Sequence, residues 1–414
     1  MHCDYLRISA GALALAIVAC TESNPPPTAA LQRPAPAGHA SAEDDEVALD
    51  VPLAGLTAAQ LDRFNRGRVV FSRVFDAQSG LGPSFNSAAC ANCHEEPSVG
   101  GFGDDLDEDV ETHVSVTTAT GCSDLSAFGG AVIQHHTTDL FQHYYPGYVA
   151  EAIPAEALGH VAHRTTPALF GFGLLEAIPA STIIALADQN AAKGGPVKGR
   201  ANVANGQLLR FGRKATDATL LGFNAGAFQN EMGVTTNLAL AEQSLSGVSP
   251  FPFDGTIDPV ASAELSDDDL ALATDFVRFL SPPAQARGTV QSNDGSQLFL
   301  SIGCASCHVP MLRTGPSSIA ALNNVKVQAF TDLLLHDMGA GLADICRGTA
   351  GPSEFRTEPL MGLRFRTHYL HDARSTTLED AIAQHGGEAA TARDAFSGLK
   401  ANQRAALIAY LNTL

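Results

Sequence analysis

SAACANCHEEP, residues 87–97, sets Cys90 and Cys93 around two small residues, with His94 directly behind them. The same order returns in SIGCASCHVP, residues 301–310, as Cys304, Cys307 and His308. A redox dithiol needs no histidine at a fixed offset. A four-ligand zinc site built from both cysteine pairs would leave the adjacent histidines unexplained. Covalent haem c accounts for every atom, because two thioethers fix the porphyrin and the next residue offers its imidazole to iron. The chain is therefore expected to carry two covalently bound haem c groups. Cys90, Cys93, Cys304 and Cys307 make the attachments, and His94 and His308 are the proximal ligands.

Working outward, an amphipathic segment stands before each motif and another closes the stretch behind it. LTAAQLDRFNRGRVVFSRVF (56–75) precedes the first and LSDDDLALATDFVRFL (265–280) follows it, opening on a serine cap and early acidic residues. GSQLFLSIG (295–303) precedes the second, and LKANQRAALIAYLNTL (399–414) ends the chain. Helix, haem motif, loops and closing helix is the order of a cytochrome c domain, present twice. The expected fold is mainly α, with two cytochrome c-like domains at 56–281 and 282–414 and long loops wrapped on haem. The proline pair in SPPAQARG (281–288) divides them. The first domain is enlarged by extra helices and loops around 160–188 and 210–238, which suggests a pocket or a partner surface.

The chain start reads as export machinery. Arg7, the small and apolar run Ile8–Ala19 and then Cys20 predict a signal peptide over 1–20. The run is well under the ~20 residues of a membrane span. Ile17-Val18-Ala19-Cys20 resembles a bacterial lipobox, so Cys20 is the expected lipid anchor of a periplasmic protein, with Thr21 leaning toward the outer membrane. Residues 21–55, rich in Pro, Ala and polar side chains, read as a disordered tether. Cys122 and Cys346 remain: they pair across the chain or stay as two separate buried thiols. A net charge of −19 excludes nucleic acid as a partner. The chain holds no tryptophan. The acidic run DDLDEDVE (104–111) reads as a solvated loop, with casual cation binding as the alternative.

GFGLLEAIP (171–179), RFGRKA (210–215), AGAFQNEMGVTT (225–236), LLLHDMG (333–339) and YLHDARSTTLEDAIAQHGGEA (369–389) follow in order around the two motifs. With them the chain resembles, over about 55–414, the bacterial di-haem oxidoreductases labelled peroxidases or thiol oxidoreductases. These are relatives of di-haem cytochrome c peroxidase and of the enzyme that matures methylamine dehydrogenase. The resemblance implies an asymmetric pair of haems. The C-terminal one takes electrons from a periplasmic donor protein, and the N-terminal one meets hydrogen peroxide or a peroxide-dependent substrate. It also implies Glu231 as the distal acid–base residue, with a solvated helix-end carboxylate as its bland alternative. Peroxidase relatives place an axial Met shortly after the stretch matching YLHDARSTTLEDAI, where this chain has AIAQHGG. His385 is therefore the expected ligand, giving a bis-histidine iron of lower potential than a His/Met one. Met338 is the runner-up, and Met311, His336, Met361, His368 and His371 are read as structural. At the N-terminal haem any of His113, His135, His136, His143, His160 and His163 is available as a sixth ligand. Glu176 is read as a cap or a salt-bridge residue. Thr357 and Pro359 match part of a calcium site that relatives carry between the domains. Two other functions remain open: a pure electron-transfer cytochrome with both irons six-coordinate, and a di-haem oxygenase.

Overall fold

The computed structural model describes residues 49–126, 130–241 and 255–414. The signal peptide, Cys20 and the tether up to 48 lie outside the described residues. Among the described residues helix accounts for about 35 % and strand for about 15 %.

Two helix pairs organise the molecule. Helix Ala58–Phe71 starts on a capping box, in which Thr57 accepts from the Gln60 N–H and Gln60 answers to the Thr57 N–H. It crosses helix Asp267–Phe279, whose cap Ser266 accepts from Asp269 N–H and whose first turn carries Asp267, Asp268 and Asp269. Arg66 and Arg73 of the first segment reach Asp268 and Asp269. The crossing is so tight that a Cβ on Gly67 would lie 2.0 Å from the Leu272 carbonyl oxygen. The second pair repeats this device. Helix Val290–Ser301 crosses helix Ala401–Leu411, and a Cβ on Gly295 would lie 2.0 Å from the Ala406 carbonyl oxygen. Each pair stands beside one Cys-x-x-Cys-His motif, the first on the short helix Cys90–Cys93 and the second on the turn Cys304–Ser306.

Between the helix pairs the chain is less helical than its sequence suggests. A three-stranded antiparallel sheet sets Val110–Val114 between Val132–Ile133 and Val161–Thr165. Five two-stranded ladders pin other loops. The strands are two to five residues long, too short for alternation to show in the sequence. The sheet places Glu111 opposite Arg164, and Thr112 between Ile133 and His163. The acidic run 104–111 is thereby split. Buried Asp109 accepts from the Asp104 and Asp105 N–H groups at 2.9 Å each, while Glu111 enters the sheet and is not part of a solvated loop.

The described residues belong to one compact unit. Its largest core joins Phe64, Phe71, Phe172 and Phe276 with Leu312, Leu322, Leu333, Leu334 and Met361, from both sides of the 281/282 boundary. The end of the expected tether is also ordered: Leu53 N–H donates to the Phe279 carbonyl and Ser281 N–H to that of Val51. Cys122 and Cys346 are joined as a disulfide across 224 residues. Among the described residues no helix is long and apolar enough to cross a membrane.

Candidate functional site

The first motif opens on a narrow cavity of about 70 Å³. Helix Cys90–Cys93 delivers both thiols, and His94 caps its end. His94 Nδ1 lies 3.2 Å from the Gly101 carbonyl oxygen, which makes Nδ1 the donor and leaves Nε2 bare for a metal. Burial holds this imidazole below the usual histidine range, so it is neutral. Glu231 faces the same cavity from the last turn of helix Leu220–Met232. Asn86 Nδ2 donates to its Oε2 at 3.0 Å, and the Glu231 carbonyl accepts from the N–H groups of Asn86 and Ser87. The carboxyl is therefore tied to the segment that leads into the cysteines. Burial, and then the charge of Glu111, push Glu231 well above the ordinary carboxylate range. Glu111 behaves oppositely. Burial works against its ionisation, but a 2.7 Å hydrogen bond from His113 Nε2 and the nearby cations keep it ionised. Two carboxyl groups in one cavity are thus driven apart, Glu231 toward the protonated form and Glu111 toward the charged one.

The second motif borders a cavity of about 470 Å³. His308 Nδ1 meets the Phe330 carbonyl at 3.0 Å, and His385 Nδ1 meets that of Ala381 at 2.8 Å. Both rings line the cavity, and each keeps Nε2 free. Burial, helped by His385, pulls His308 down to about 4, and burial lowers His385 too. Two neutral imidazoles share one apolar chamber walled by Phe299, Leu363, Leu378, Leu407 and Leu411. Arg213, Arg356 and Arg366 also line it, with Glu358 as the lining carboxylate beside them. That surplus of buried guanidinium suits a ligand bearing carboxylates.

At both cavities the residues fit haem: unpaired cysteines at 90, 93, 304 and 307, each pair with an imidazole whose Nε2 is exposed to the cavity. The second chamber also has the volume and the cationic rim. At the first the fit rests on the donor set alone.

Residues 157–414 match the family described as "Di-haem oxidoreductase, putative peroxidase". The chain belongs to this di-haem oxidoreductase family. No curated protein matches it. Among solved structures it is similar to hydrazine synthase of Kuenenia stuttgartiensis, at 15 % identity and TM-score 0.38 over 95 % of this chain and 100 % of that one. A MauG-like protein associated with microbial copper homeostasis gives 15 % and 0.39 over 90 % and 95 %. The dihaem peroxidase BthA of Burkholderia thailandensis gives 14 % and 0.40 over 85 % and 86 %. These likenesses are too distant to carry function across.

In this di-haem oxidoreductase the residues expected to act fall into place unevenly. Of the six histidines considered near the first motif, His135 lines the cavity, with Nε2 held at 3.0 Å from Thr112 Oγ1. His113 is engaged by Glu111. Met232 is core, packed 3.9 Å from Cys90 Sγ. At the second cavity His336, Met338 and His371 join His385 in the lining, whereas Met311 is exposed and Met361 belongs to the core. His336 is excluded as a ligand because Asp332 and Glu388 occupy its two nitrogens at 2.9 and 2.8 Å. Glu176 fills both roles foreseen for it, accepting from the Leu220 N–H that starts its helix and pairing with Arg278 at 3.0 Å. The calcium expectation does not suit its residues. The Thr357 carbonyl accepts from Thr331 Oγ1 and from the Arg356 guanidinium, so a cation there would face a cation. Glu111 went unread in the sequence because nothing in VETHV distinguishes an inward carboxylate from a surface one.

Proposed function

We propose that this di-haem oxidoreductase is a peroxidase-like enzyme that reduces hydrogen peroxide at the first site with electrons relayed through the second. Haem c, attached through Cys90 and Cys93 and through Cys304 and Cys307, would supply the redox chemistry. His94 and His308 would hold the irons from one side, and His385 would close the second from the other. A relay needs no open position, and the second site has two facing imidazoles. A substrate site does need one, and the first offers a proton donor instead of a second free imidazole.

The observation that carries this reading is Glu231, half-buried and lining the cavity of His94, hydrogen-bonded by Asn86 and pushed by desolvation toward its protonated form. Reduction of one peroxide consumes two electrons and two protons and yields two waters. A protonated carboxyl in the cavity can move a proton between the two oxygens as their bond breaks, an effect of about 10²–10⁴ in rate. The two cytochrome c-like halves, the periplasmic location, the lipid on Cys20 and a periplasmic electron-donor protein belong to the same proposal.

The test is peroxide-dependent oxidation of a reduced one-electron donor by the haem-loaded protein. Glu231→Gln should lower kcat by about 10²–10⁴ with both haems still attached. Normal turnover in that variant removes Glu231 from the chemistry, and absence of turnover in the parent removes the peroxidase reading. Electron paramagnetic resonance of the oxidised protein should show one bis-imidazole low-spin iron at the second site.

A further inference from the structure

We propose that Phe102 and Arg366 form the electron bridge between the two sites, an inference that rests on the two-haem reading above. The chain has no tryptophan, so another group must span the gap. Tyr369 lines the second cavity, but among the described residues no tyrosine lines the first.

The connection starts at the proximal imidazole. His94 Nδ1 donates to the Gly101 carbonyl at 3.2 Å, and the next residue along the backbone is Phe102. The Phe102 ring is buried, with the Phe170 ring edge-on at 6.2 Å and the Arg366 guanidinium over it at 5.0 Å from its centroid. Arg366 lines the second cavity with His308. From proximal ligand to opposite cavity the route is one hydrogen bond, a few covalent bonds and one cation–π contact. Tunnelling falls off more slowly through bonds and packed atoms than through open space, and this route consists of both.

A second feature holds Arg366 in position. Its Nη2 donates to Thr165 Oγ1 at 3.1 Å, and Thr165 N–H donates to the carbonyl of His371, another lining residue of the second cavity. The neighbouring Thr166 lines the first cavity. The end of strand Val161–Thr165 therefore lies between the two sites and fixes the guanidinium over the ring. Phe102 is a tunnelling medium here and is not itself oxidised. One electron at a time leaves a one-electron donor protein and crosses from the second site to the first without making or breaking a bond in the bridge. Two such crossings supply the reduction of one peroxide to two waters, the two protons coming from solvent.

The measurement is intersite electron transfer in the haem-loaded, half-reduced protein, started by flash photolysis of bound carbon monoxide and read beside both midpoint potentials. Phe102→Leu should slow the transfer several-fold with both potentials and both haem spectra unchanged, and Phe102→Trp should restore it. An unchanged rate in Phe102→Leu overturns the bridge. Should Phe102→Leu fail to load both haems, Arg366→Lys carries the test: it keeps the charge but loses the flat contact. Slowed transfer supports the bridge, and parental transfer overturns it. A parent that binds fewer than two haems overturns the two-site reading itself and the bridge with it.

Discussion

At the residue scale, the imidazoles show how the backbone selects chemistry. His94, His308 and His385 each place Nδ1 against a carbonyl, which fixes the tautomer that presents Nε2 to a metal. His336, in the same chamber as two of them, is turned to the opposite use. Burial resists its charge, but Asp332, then the Cys307 sulfur, then Glu388 overcome that and raise it to about 12, and Glu388 is held down at about 2. The signs give a window. The His336 contribution to stability is complete below its ordinary 6.5 and is lost as pH climbs through about 12. That of Glu388 is complete above its ordinary 4.5 and is lost as pH falls through about 2. Asp332→Asn leaves a buried charge short of a partner, which costs ~3–5 kcal/mol. Urea unfolding should show that loss at full size between pH 4.5 and 6.5 and a smaller one at strongly alkaline pH, once His336 loses its proton. The two Cys-x-x-Cys-His motifs stood out in the sequence because covalent haem attachment would impose a fixed spacing. The roles of His336 and Glu111 did not, since they depend on partners that the chain brings in from distant positions.

At the scale of elements, all four bracketing helices were legible, although the one read at 295–303 begins five residues earlier, at Val290 behind its Thr289 cap. Apolar spacing and caps located them: Ser266 and the acidic turn behind it are where the sequence puts them, and the opening helix starts directly after Thr57. The sheet around Glu111 was hidden, because its pairing is set by contacts some 20 to 50 residues apart and its strands are brief. Each helix crossing depends on a single glycine. Gly67→Ala and Gly295→Ala each force a methyl group onto a carbonyl oxygen of the facing helix. Overpacking of this kind costs ~1–3 kcal/mol. Thermal unfolding should show that loss for each variant, and haem loading should fall at the neighbouring motif more than at the remote one. Equal loss at both motifs would mean that the crossings do not act locally.

At the scale of the whole molecule, the sequence suggested two beads on a string, and the structure has one unit with a shared core. The long-range link Cys122–Cys346 could not be assigned from sequence, since either pairing or separate burial met the same pattern. Replacing both cysteines with serine should lower stability by ~2–5 kcal/mol, measured by denaturant unfolding of the haem-loaded protein.

The disulfide also poses a sorting problem during maturation. Six cysteines share the described chain: two are joined as a disulfide and four are free, the four that the proposed haem attachment would use. Burial pushes Cys90 up to about 12 and Cys304 up to about 11, which keeps their reactive thiolate scarce. A newly made chain that folds around its motifs first is therefore guarded against cross-linking by its own interior. One that meets an oxidant while still unfolded lacks that protection.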